Sequence, residues 1–133
     1  MPRVSVVTSV YNGEVYVEEC IDSILNQTFQ DFEYIILNNG STDRTAEILN
    51  SYTDSRIHII HQENLGISRS LNKGINLSKS ALIARLDADD YALPQRLEKQ
   101  IAFMGKYPDV ILCGSRILEL IGEKLSEQRI AFV

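Results

Sequence analysis

"RVSVVTSVYNGEVYVEECIDSILNQ" (3–27) changes its period part-way along. Residues 3–10 form a β-branched run without alternation, the pattern of a strand buried on both faces. Between 14 and 27, Val17, Cys20, Ile21, Ile24 and Leu25 recur at helical spacing. A doubly buried strand running straight into an amphipathic helix is the first half of a strand–helix–strand crossover, and such a crossover joins parallel strands.

The same unit returns further along. "EYIILN" (33–38) reads as a second strand, after which Ser41, Thr42 and Asp43 offer N-caps to a helix carrying Ala46, Ile48, Leu49 and Tyr52. "RIHIIHQ" (56–62) is a third strand, and a helix over about 67–78 sets Ile67, Leu71 and Ile75 on one face. "ALIARLD" (81–87) is a fourth strand; Pro94 then suits the first turn of a helix with Leu97, Ile101 and Met104 on one side. "DVILCGS" (109–115) reads as a fifth strand, with "RILEL" and "RIAFV" as strands around a turn at Gly122. The expected fold is α/β: a Rossmann-like, mostly parallel sheet with helices on both faces, joined by right-handed crossovers. Residues 1–115 are expected to form its core, and 116–133 to begin a further, incomplete region.

Composition sets limits on function. The formal net charge of −5 argues against a nucleic-acid partner. No stretch has the length of a membrane span and no cleavable signal is visible, which predicts a cytoplasmic setting. Cys20 and Cys113 lie in apolar surroundings without metal-ligand spacing and are expected to be buried, reduced thiols. His58 and His61 fall on opposite faces of the third strand and read as structural.

In open parallel sheets ligands sit beyond the carboxyl ends of the strands. Those ends carry "SVYNG" (9–13), "NNGSTD" (38–43), "QENLG" (62–66) and "DADD" (87–90). Tyr11 could stack on a base or be a rim aromatic; Asn38 and Asn39 could meet a base edge or simply form a turn with Gly40. Asp87, Asp89 and Asp90 have three readings: a helix cap, a solvated loop, or hard oxygen ligands for a divalent cation. A cation held by one or two carboxylates usually completes its shell with water and substrate phosphates, which ties the third reading to a nucleotide.

Taken in order, "VSVVTSVYNGEVYVEECIDSILNQTFQDFEYIILNNGSTD" (4–43), "NLGISRSLNKGI" (64–75) and "ARLDADDYALPQRLEKQIAF" (84–103) resemble the nucleotide-binding half of a family 2 glycosyltransferase with the GT-A fold. The resemblance implies that Tyr11 and the backbone around Thr8 and Ser9 border uracil or another base. It places Asn39 where the family typically has an aspartate on the base, and Asp87 by the ribose or the metal. Asp89 would then ligate Mg²⁺ or Mn²⁺ bridging the diphosphate, with Arg69 and Lys73 near the donor. Asn38-Asn39 departs from the family's Asp-Asp or Asp-Asn, and an amide accepts a hydrogen bond without charge assistance. Ser9-Val10 stands where a proline-containing pair is frequent.

The implied reaction is transfer of a sugar, with inversion, from a nucleotide diphosphate sugar to a hydroxyl of a glycan or lipid-linked acceptor. A UDP-sugar is the first donor to consider, in polysaccharide synthesis at the inner face of the membrane. The resemblance puts the general base and the acceptor pocket beyond Val133, so the chain is expected to be the donor-binding part of a longer enzyme. Leu118, Leu120, Ile121, Ile130, Phe132 and Val133 then have little to cover them, which predicts either a homodimer or a poorly ordered tail. Two rival enzymes lack their loops: "TSVYNGEVY" has neither the basic glycine-rich loop of a nucleotidyltransferase nor the G-x-G-x-x-G of a dinucleotide oxidoreductase. A non-catalytic nucleotide-sugar-binding module on the same fold stays open.

Overall fold

The computed structural model describes residues 1–115, 117–121 and 124–128. Four strands build the main sheet: β1 (Val4–Val10), β2 (Phe32–Asn39), β3 (Ile57–Gln62) and β4 (Leu82–Arg85). Their spatial order is β3-β2-β1-β4 and every pairing is parallel, with Val7 opposite both Ile35 and Arg85. The expected Rossmann-like α/β sheet is therefore present.

Helices α1 (Val17–Leu25), α2 (Thr45–Asn50) and α3 (Ile67–Leu77) make the crossovers. One face of β1 and β2 presents Val7, Ile35 and Leu37, which form a buried cluster with Ile60 and with Leu71 of α3. Tyr34, on the opposite face, meets Cys20 of α1. Helix α1 begins at Val17 rather than 14 because Gly13 to Tyr16 closes a turn first, the N–H groups of Tyr16 and Val17 both donating to Gly13 O.

Helix α3 differs from expectation in the face it buries. Ile67 and Ile75 are about half exposed, whereas Ser70 and Gly74 are buried. A Cβ at Gly74 would lie 2.5 Å from Val7 Cγ1 and 2.9 Å from Leu37 Cδ1. The helix is set by close approach at Gly74 together with Leu71, while Ile67 and Ile75 of the expected stripe stay outside the core.

Residues Met1–Leu97 form one compact unit and Glu98–Val133 another. The first holds the sheet and its crossovers. The second holds most of α4 (Arg96–Lys106) and an antiparallel hairpin of β5 (Ile117–Ile121) and β6 (Lys124–Gln128). Pro94 lies in the turn just ahead of α4 and not in its first turn.

The fifth strand expected at 109–115 is absent: 110–115 run without regular structure, and Ile111 is 95% exposed. Its composition favours a strand, but a strand needs a ladder partner, and no described residue pairs with it. Cys113 is accordingly only half-buried, unlike Cys20. Of the expected hairpin, "RIAFV" (129–133) lies outside the described residues, as do the side chains of the apolar group from Leu118 to Val133; β5 pairs with Lys124–Gln128 instead. Among the described residues no helix is long and apolar enough to cross a membrane.

Candidate nucleotide site

The strand order reverses between β1 and β4. Parallel sheets open a crevice at such a switch point, beyond the carboxyl ends of the two strands. A cavity of about 360 Å³ lies there, lined by Ser9, Val10, Tyr11, Asn12 and Gly13 after β1 and by Asp87, Ala88 and Asp89 after β4, with Tyr16 and Ile67 completing it.

Local sequence shapes both loops. Asn12 adopts φ 50°, and its Oδ1 accepts from Thr42 N (2.7 Å) while its own N–H donates to Ser41 Oγ (3.0 Å). Asp43 braces the same loop from below: its carboxylate accepts from Glu14 N and from the hydroxyl and N–H of Thr45. Desolvation raises the Asp43 pKa, but those hydrogen bonds outweigh it and the net shift is downward.

The β4 loop hangs from the core. Thr8 Oγ1 donates to Leu86 O (2.8 Å) and takes a hydrogen bond with Tyr34 Oη (2.9 Å); Cys20 Sγ donates to Asp87 O (3.4 Å). Beyond the acidic residues, buried Gln27 donates through Nε2 to Ala92 O and Leu93 O and accepts from Leu97 N, while Ser23 Oγ accepts from Ala92 N. No pattern in the sequence singles out Ser23 or Gln27, since a small polar residue on α1 breaks no periodicity and Gln27 lies two residues beyond the helix.

The carboxylates differ in their surroundings. Asp87 is clamped by Arg85, at 2.9 Å from Nε and 3.1 Å from a terminal nitrogen. Asp89 is exposed on the cavity. Asp90 lies outside the lining, and its N–H closes a turn onto Asp87 O. Its carboxyl is raised, first by burial and then by Asp89 and Asp87, against the pull of Arg96 and Arg85. Among the described residues no three His, Cys, Asp or Glu side chains converge as a closed metal cage. An exposed Asp89 beside a clamped Asp87 instead fits a Mg²⁺ or Mn²⁺ that takes one or two protein oxygens and the rest from phosphates and water.

The cavity thus brings together Ser9, Tyr11, Asp87 and Asp89 of the residues singled out in the sequence. Thr8 is wholly buried behind the lining. Arg69 is exposed on the first turn of α3 and does not line the cavity. Asn39 is 3% exposed and also outside the lining; its side chain bonds to Gln62, Asn64, Leu65 N and Ser70. Asn38 is spent on His61 and Ser41 N, and His61 on Asn50, so that this histidine is structural. His58 lies 3.7 Å from buried Glu33, far along the strand from the cavity end. Tyr16 and Ile67 were not among the residues expected at the site; Ile67 follows the helical repeat too well to be told from a core residue.

The sequence profile of glycosyl transferase family 2 matches residues 5–132. The chain belongs to that family. Family 2 relatives include the O-antigen biosynthesis glycosyltransferase WbnJ of Escherichia coli, 40% identical over 131 residues, which are 96% of this chain and 52% of the relative. An uncharacterized glycosyltransferase of Methanocaldococcus jannaschii is 47% identical over 119 residues, 86% of this chain and 41% of that protein. The chain spans about half or less of the length of the curated relatives it matches. Residues 1–349 of Staphylococcus aureus TarS, solved in complex with UDP-GlcNAc, superpose with a TM-score of 0.74 at 25% identity, over 80% of this chain and 32% of that one. A Pyrobaculum calidifontis mannosyltransferase, solved with GDP-Man and Mn²⁺, shares the fold with a TM-score of 0.68 over 83% of this chain and 33% of that one, at 24% identity. The family 2 sheet is of the GT-A type in this chain.

Proposed function

We propose that the crevice between β1 and β4 binds a nucleotide diphosphate sugar, a UDP-sugar first among them, for transfer to a hydroxyl of a glycan or lipid-linked acceptor. One observation carries the reading: an exposed aromatic, Tyr11, and the carboxylates Asp87 and Asp89 line a single cavity of nucleotide scale. Ser9 and Tyr11 border the base, with the Thr8 backbone behind them, and Asp87 approaches the ribose. Asp89 would hold a Mg²⁺ or Mn²⁺ ion when one is bound. The ion supplies Lewis-acid neutralisation of charge gathering on the leaving group. Arg69, two residues beyond the cavity residue Ile67, is assigned to the charged part of the donor.

In the transfer, the acceptor oxygen bonds to the anomeric carbon on the face opposite the leaving group. The bond from that carbon to the phosphate oxygen breaks, and the nucleoside diphosphate leaves with the electron pair. The acceptor proton passes to a carboxylate that this reading places outside residues 1–133. We assign 1–115 to donor binding and 116–133 to the start of the acceptor side. The protein would work in the cytoplasm at the inner face of the membrane, as a homodimer.

Asp89→Asn tests the reading. It should lower Mn²⁺-dependent UDP affinity at least tenfold and leave the melting temperature nearly unchanged, because an exposed loop residue contributes little packing. Calorimetry giving equal UDP affinity with and without Mn²⁺, in both proteins, refutes it.

A further inference from the structure

The side chain of Asn39 is a fastener. Its Oδ1 accepts from Gln62 Nε2 (3.1 Å), Leu65 N (2.8 Å) and Ser70 Oγ (2.9 Å), and its Nδ2 donates to Asn64 Oδ1 (3.0 Å). Asn64 Oδ1 in turn accepts from Gly66 N (3.0 Å), and Gln62 Nε2 also donates to Ser70 Oγ (2.8 Å). A carbonyl oxygen has two lone pairs, so three donors leave no acceptor capacity for a ligand. Asn38 is likewise committed, Oδ1 to Ser41 N and Nδ2 to His61. Neither side chain that ends β2 lines the cavity. Gly40, at φ +76°, brings the two loops together; a Cβ there would sit 2.9 Å from Asn64 N.

What this network fixes is the start of α3. Gly66 caps the helix and Ile67, its first residue, projects about half exposed onto the cavity beside Tyr11 and Tyr16. We propose that Asn39 is a positioning residue that sets Ile67 against the nucleobase, and that the base is gripped by the exposed side chains of Tyr11, Tyr16 and Ile67 without an edge contact from β2. Every base has a π-face, so a site of this kind tolerates purines and pyrimidines alike. The proposal rests on the nucleotide reading above and specifies how that site treats the base.

The test measures Kd for UDP, CDP, GDP and ADP, each with Mn²⁺, in the intact natural protein and in Asn39→Asp, Asn64→Ala and Ile67→Ala. The wild type should bind all four within tenfold of one another. Asn39→Asp turns a carboxylate oxygen toward Asn64 Oδ1, so it should lower the melting temperature and weaken all four by a common factor, without favouring uridine. Asn64 is exposed, so Asn64→Ala should stay folded and show the same uniform loss even if Asn39→Asp does not fold. Ile67→Ala should weaken all four several-fold at an unchanged melting temperature. A preference above tenfold for one base in the wild type, or a gain confined to UDP in Asn39→Asp, overturns the proposal while leaving the nucleotide site standing. Binding of none of the four removes the site itself and this proposal with it.

Discussion

Burial acts on Cys20 before any neighbour does, and pushes its thiol up to about 11. The hydrogen bond with Tyr34 opposes that shift, whereas Asp90, Asp89 and Asp87 reinforce it. A thiol reacts as the thiolate, so at pH 8 Cys20 should resist a disulfide reagent in the folded protein while half-buried Cys113 is modified. Thiol counting with and without denaturant checks this; fast labelling of Cys20 in buffer would mean that α1 opens locally. The sequence was right about Cys20, whose place on the apolar stripe of α1 predicts burial. It could not show the second use of that sulfur, as a donor to Asp87 O, because the partner is 67 residues away. Tyr34 and Thr8 are similar: their residue types predict a buried strand, and only the fold turns their hydroxyls into a support for the β4 loop.

Helix α3 is sensitive to a single added carbon. Gly74→Ala would drive a methyl into Val7 and Leu37, both in the buried cluster, and should cost about 1–3 kcal/mol. Chemical denaturation would read this as a lower midpoint at an unchanged slope. A neutral result would show that α3 can slide outward at no expense. Local pattern was a good guide to β1 and β2, which bury continuous apolar runs, and to α1, which buries an apolar stripe; β3 and α2 also form where expected, although β3 is only partly buried and α2 buries just Thr45 and Leu49. It failed wherever long-range contact overrode composition. Gly74 reads as a weak helical residue and proves to be the contact point. "DVILCGS" reads as a strand, and 110–115 have no partner among the described residues. At the strand ends all four loops are polar, yet "SVYNG" and "DADD" face the cavity while "NNGSTD" and "QENLG" bond to each other. Composition cannot separate those two fates; the position of the switch point in the sheet does.

Among the described residues, the order β3-β2-β1-β4 gives β1 and β2 a neighbour on each side and leaves β3 and β4 at the edges of the sheet. Hydrogen exchange should therefore be slowest for the amides of Val4–Val10 and Phe32–Asn39 and fastest, among the four strands, for the short β4. Equal protection of β4 and β1 would mean that the sheet opens only as a single unit. The same order has a consequence during synthesis. Strands β1, β2 and β3 leave the ribosome in the order in which they lie side by side, and can pair as they emerge. β4 must then return past the others to the far side of β1. Until Arg85 has emerged, the nascent chain carries "VSVVTSV" with one whole edge unpaired, a window on the order of seconds at usual elongation rates. Bare edges of that composition recruit other strands. The nascent protein should accordingly depend most on a holding chaperone between the emergence of Gln62 and that of Arg85, the interval in which the acidic wall of its own crevice has yet to be made.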